Sequence, residues 1–156
     1  FAVIDQNGRP FTDAALKGRY ALLYFGYTYC PDVCPVDMAR LGKAMAAFEA
    51  RDPARAGKDQ PVFVTVDPAR DTAAVVGTFV ANFHPRFIGL TGTDAQIQAM
   101  LKEYRVVAQK EGDGPDYLVN HSTAAYLFGP DGKPMLLIGQ DQDAAAIAAE
   151  LDKWVA

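Results

Sequence analysis

Tyr20-Ala-Leu-Leu-Tyr-Phe-Gly-Tyr-Thr-Tyr-Cys-Pro-Asp-Val-Cys-Pro35 changes character twice within sixteen residues. Tyr20 to Gly26 is a nearly continuous apolar run, the pattern of a central strand covered on both faces. After a short loop that holds both cysteines of the chain, Met38, Leu41, Met45 and Phe48 recur at helical intervals and predict a helix from about residue 35 to 50. Pro35 suits the first position of that helix, where its missing N–H has no partner. The stretch therefore reads as strand, loop, helix, with Cys34 at or just before the helix N-terminus.

The rest of the chain repeats this alternation. Pro61-Val-Phe-Val-Thr-Val66 is a second buried strand, and Thr72 to Phe83 a second helix with Asp71 or Thr72 as its cap. Phe87 to Leu90 gives a short third strand. Ile97, Met100, Leu101 and Tyr104 mark an amphipathic helix that starts near Thr93 or Asp94. Thr123 to Phe128 and Met135 to Ile138 flank the turn Gly129-Pro-Asp-Gly132, and an Ala-rich helix spans about Asp143 to Val155. Ahead of all this, Ala2 to Ile4 and Arg9 to Phe11 form a peripheral hairpin around Asn7-Gly8. The order β-α-β-α-β-α-β-β-α predicts an α/β sandwich: a mixed central sheet flanked by helices, with an N-terminal hairpin.

With 156 residues, half of them apolar, the chain is sized for a single domain over 1–156. Its net charge of −4 and its lack of like-charge runs exclude a nucleic-acid footprint. No apolar stretch approaches the roughly 18 residues of a membrane span, so a soluble domain is expected. Because residue 1 is Phe rather than Met, removal of a leader or anchor is an open expectation.

The cysteines carry the chemistry. Unpaired N–H groups and the dipole at a helix N-terminus favour an anion, so Cys34 should ionise readily, and the thiolate is the form that binds metal or attacks disulfides. Cys30 and Cys34 are spaced i, i+4, which on a helix puts their Cβ atoms about 5 to 6 Å apart, within reach of one ion. A structural disulfide is the plain alternative, but closing so small a ring stabilises little. Of the two histidines, His84 falls where the second helix ends and reads as a group interacting with helix carbonyls. His121 enters a strand from its loop end. In an open α/β sheet it could arrive at the edge where the cysteine loop lies, 87 residues from Cys34 notwithstanding. Two thiolates and an imidazole suit copper(I), and also zinc.

At this level of detail the chain resembles the Sco/SenC copper-chaperone family. Phe25 to Pro35 is similar to its Cys-x-x-x-Cys-Pro signature, Val66-Asp-Pro-Ala-Arg-Asp-Thr72 to its Asp-Pro-x-Arg-Asp segment, and Asn120-His-Ser-Thr123 to its histidine segment. Tyr126 to Gly132 agrees as well, so the resemblance runs over essentially the whole chain. It implies a thioredoxin-like fold and a copper site made by Cys30, Cys34 and His121, loaded with copper(I), copper(II) being left open. It also implies delivery to the dinuclear copper site of cytochrome c oxidase subunit II. Another copper chaperone or a thioredoxin-like reductant is a further candidate partner. The implied location is periplasmic or otherwise extracytoplasmic, with a membrane tether that is not in this chain. Asn120 departs from the Asp often found before the histidine, which bears on how the imidazole is oriented. Asp67 is a candidate for supporting the site, and Phe25, Tyr27 and Tyr29 for shielding it or simply packing. No catalytic residue is expected. The competing functions are a thiol–disulfide oxidoreductase acting through Cys30 and Cys34, against which stand the longer spacing and the absence of proline from Val119 to Thr123, a still weaker peroxidase reading, and a copper or redox sensor.

Overall fold

The computed structural model describes residues 1–29, 33–114, 117–121 and 125–156, with the backbone alone at 33 and 120. Strand β1 (Ala2–Asp5) pairs antiparallel with β2 (Pro10–Thr12), as the Asn7-Gly8 turn demands, with Gly8 at φ +76°. One turn of 3-10 helix (Asp13–Leu16) leads to β3 (Tyr20–Gly26), then α1 (Val33–Arg51), a single turn α2 (Pro53–Ala56) and β4 (Asp59–Thr65). The chain continues through α3 (Ala73–Ala81), β5 (Ile88–Thr91), α4 (Asp94–Glu103), β6 (Ala108–Glu111), β7 (Leu118–His121), β8 (Ala125–Phe128), β9 (Pro134–Ile138) and α5 (Ala144–Trp154).

Seven strands form one mixed sheet in the order β2-β1-β5-β4-β3-β8-β9. The strands joined by helical crossovers, β3 to β4 and β4 to β5, are parallel, and β8 returns antiparallel beside β3. Residues 21 to 26 of β3 are all buried because both faces of the strand are covered. Tyr24 points to one face, where its hydroxyl donates to Asp37 of α1 at 2.7 Å. Phe25 points to the other, 5.9 Å from the ring of Tyr104 at the end of α4. Helices begin where their N-caps stand: Thr72 accepts from Val75 N–H, Asp143 from Ala146 N–H, and Thr93 with Gln96 completes a capping box.

Three expectations are corrected. Helix α1 begins at Val33, two residues earlier than Pro35 suggested; Pro35 still lies in the first turn, where N–H groups have no intrahelical acceptor. The backbone N–H of His84 reaches the Val80 carbonyl of α3 at 3.5 Å, but its side chain does not turn to helix carbonyls. Its Nε2 meets the Glu49 carboxylate on α1, and its Nδ1 accepts the Arg86 N–H at 3.1 Å. The strand that carries His121 is not the one running to Phe128. It is β7, paired antiparallel with β6 in a two-stranded ribbon outside the main sheet. The start of the expected strand at Thr123 lies outside the described residues, where β8 is traced from Ala125. Two elements, α2 and β6, were not shown by sequence periodicity.

Candidate metal centre

Strand β3 delivers the chain to the carboxyl edge of the sheet, and α1 starts there with Cys34 as its second residue, fully buried. Space for the sulfur depends on Gly26: a Cβ at that position would lie 3.0 Å from Cys34 Sγ and 3.1 Å from the Tyr24 ring. The segment between β3 and α1 is held from below by Asp71. Its carboxylate accepts from Thr28 N–H at 3.0 Å, Thr28 Oγ1 at 2.6 Å and Thr65 Oγ1 at 2.7 Å. Burial raises the Asp71 pKa, and the three hydrogen bonds work against that rise. Asp71 is thus an anchor for the cysteine loop, while Thr72 alone caps α3.

The ribbon brings the histidine. His121 is the last residue of β7, opposite Ala108, and its Nε2 stands 3.4 Å from Cys34 Sγ. Tyr27 meets the His121 ring edge-on, with centroids 5.7 Å apart, and its hydroxyl accepts the buried Val119 N–H at 3.1 Å. Two of the three predicted ligands therefore come together across 87 residues of sequence. Cys30, the third, lies outside the described residues, as does the side chain of Asn120. An ion about 2.3 Å from a sulfur and about 2.0 Å from an imidazole nitrogen would see this 3.4 Å pair at an angle of about 104°, between those of right-angled and trigonal donors. The donor pair fits one soft metal ion without rearrangement.

Around the pair, Tyr24 has its phenol pKa raised by burial, by the nearby Cys34 charge and by the bond to Asp37, so it stays a neutral donor. Asp67 is buried and touches the site indirectly: it accepts from the Tyr117 hydroxyl and from Arg70 Nε at 2.6 Å. The Arg70 guanidinium lies 3.6 Å from the centre of the Tyr117 ring, 4.6 Å from that of Tyr29 and 5.8 Å from that of Tyr27. Of the three candidate aromatics, Phe25 and Tyr27 are core residues, whereas Tyr29 is 55% exposed. Arg70, Tyr117 and Asp71 were not singled out by sequence reasoning for these contacts; the Asp-Pro-Ala-Arg-Asp segment was the only signal pointing to Arg70 and Asp71, and nothing pointed to Tyr117.

The family model described as SCO1/SenC matches residues 1–156. The chain belongs to the SCO1/SenC family. Among curated relatives, the mitochondrial protein SCO2 of Saccharomyces cerevisiae is 40% identical over 146 residues, 92% of this chain and 48% of the relative. The copper-bound ScoI of Arabidopsis thaliana is 36% identical and superimposes with a TM-score of 0.89 over 98% of this chain and 94% of that one. The copper-bound ScoI of Bradyrhizobium japonicum gives 35% identity and a TM-score of 0.89 over 99% and 96%. These matches establish the thioredoxin-like fold of the Sco proteins. The chain spans about half the length of the curated relatives it matches, from 48% to 61% for the first two. Among the described residues no helix is long and apolar enough to cross a membrane.

Proposed function

We propose that this chain is a copper chaperone of cytochrome c oxidase assembly. Cys30, Cys34 and His121 hold the copper cargo, and the ion passes by ligand exchange to the dinuclear site of subunit II. The observation that carries this reading is the 3.4 Å approach of Cys34 Sγ to His121 Nε2, which sets a thiol and an imidazole around one point at the sheet edge. Copper(I) is the favoured cargo because two thiolates and an imidazole are soft donors. With a neutral imidazole the loaded site carries a net charge of −1, and the N–H groups at the start of α1 offset it. The relatives include copper-bound structures and a mitochondrial protein, which supports the same reading and a home outside the cytosol.

Titration of the reduced protein with copper(I), beside its Cys30→Ala, Cys34→Ala and His121→Ala variants, tests the ligand set. The thiolate-to-copper charge-transfer band should be lost or shifted in each cysteine variant, and affinity should fall in His121→Ala. Unchanged affinity and spectrum in His121→Ala would remove the imidazole from the site.

A further inference from the structure

Among the described residues, the contacts that hold the ribbon carrying His121 to the body of the protein involve side chains. Among the described residues β6 and β7 pair only with each other and share no ladder with the seven-stranded sheet. No backbone ladder to that sheet among the described residues sets how far His121 stands from Cys34, so the side-chain docking of β7 contributes to it. One tether is Val119 N–H on Tyr27. Another runs through the segment ahead of β7, where Tyr117 donates its hydroxyl to Asp67 and its ring meets two cations, Arg70 at 3.6 Å and Lys110 Nζ of β6 at 4.3 Å from the ring centre.

We propose that Arg70 is a positioning residue for the metal centre: its guanidinium, held by Asp67, clamps Tyr29 of the cysteine loop and Tyr117 of the histidine ribbon together. The proposal rests on the ligand reading of Cys34 and His121 above. The geometry supports it on three counts. Asp67 is itself fixed to the core, since its N–H donates to Thr65 Oγ1 at 2.9 Å at the end of β4, so the clamp has a rigid base. Arg70 Nε binds that carboxylate at 2.6 Å, which leaves the flat face of the guanidinium to stack on rings, a contact that a lysine ammonium cannot reproduce. Tyr29 directly precedes Cys30, and Tyr117 lies four residues before His121, so one side chain grips both ligand-bearing segments.

The test is a double-mutant cycle on reduced protein, with copper(I) affinity read by competition against a chromophoric copper(I) chelator. Groups that orient a metal ligand typically change affinity by about 10- to 100-fold when removed, and Arg70→Met should do so in the otherwise native chain. In a His121→Ala background the same substitution should cost clearly less than in the native chain, because with the imidazole gone only the arm on Tyr29 and the cysteine loop still bears on a ligand. Native affinity in Arg70→Met, or an equal loss in both backgrounds, would overturn the proposal while leaving the ligand set intact. If His121→Ala alone binds copper as tightly as the native chain, the ligand reading fails and this proposal with it. Should Arg70→Met not fold, Tyr117→Leu keeps the Asp67–Arg70 pair and removes the ring between Arg70 and β7. It carries the same expectation and is overturned by the same results.

Discussion

Asp59 opens β4, and neither oxygen of its fully buried carboxylate has a hydrogen-bond partner among the described residues. Burial pushes its pKa up from 3.8 to about 7, against the opposing charges of Arg86 and Arg19. The folded state therefore holds this proton more tightly than the unfolded state does. As pH rises from about 4, the unfolded carboxyl ionises first and folding stability falls, until the folded group also ionises near pH 7 and the loss levels off. At 1.36 kcal/mol per unit, a rise of about three units amounts to about 4 kcal/mol. Asp59→Asn has the same shape and cannot ionise. It should exceed the native protein in stability by several kcal/mol at pH 8 and match it to within about 1 kcal/mol near pH 4. Urea unfolding of both proteins at the two pH values measures this, since other titrating groups cancel in the comparison. A native-to-variant difference that is the same at both pH values would refute the reasoning. Thr65, at the other end of β4, is about 20 Å away, so copper affinity should not follow the change.

Gly26→Ala would press a methyl group against Cys34 Sγ and the Tyr24 and Phe63 rings, so it should cost about 1 to 3 kcal/mol and weaken copper binding, read by thermal melting and chelator competition. Tyr27→Phe deprives the Val119 N–H of its acceptor, which should cost about 1 to 3 kcal/mol and speed amide exchange at Val119, followed by NMR. Thr93→Ala removes the capping box of α4 and should lower stability by about 1 kcal/mol in denaturant titration, with copper affinity unchanged because Thr93 lies outside the candidate centre.

The sheet was legible wherever burial leaves a simple pattern. Tyr20 to Gly26 and Pro61 to Val66 are apolar runs because both faces of β3 and β4 are covered, and the helix starts near 72 and 93 follow from local backbone chemistry, with Thr72 and Thr93 rather than their neighbours Asp71 and Asp94 as the caps. The ribbon was not legible, because Ala108-Gln-Lys-Glu111 is largely exposed and carries no alternating apolar face. Helix α2 is a single turn, too short for any period to show. At the metal centre, the i, i+4 cysteines and the distant histidine stood out by residue type, and the family resemblance joined them. The support did not stand out. Asp71 sits beside the true cap Thr72 and looks like a cap itself, yet its carboxylate is committed to Thr28 and Thr65, partners 43 and 6 residues away. Arg70 and Tyr117 meet only once the ribbon has docked, a tertiary event with no local periodicity.

X-ray absorption at the copper edge of the copper(I)-loaded protein tests the coordination directly. The account predicts two sulfur neighbours and one imidazole nitrogen, with the characteristic outer-shell scattering of the imidazole ring lost in His121→Ala. A sulfur-only site, or a spectrum that the substitution leaves unaltered, would contradict it.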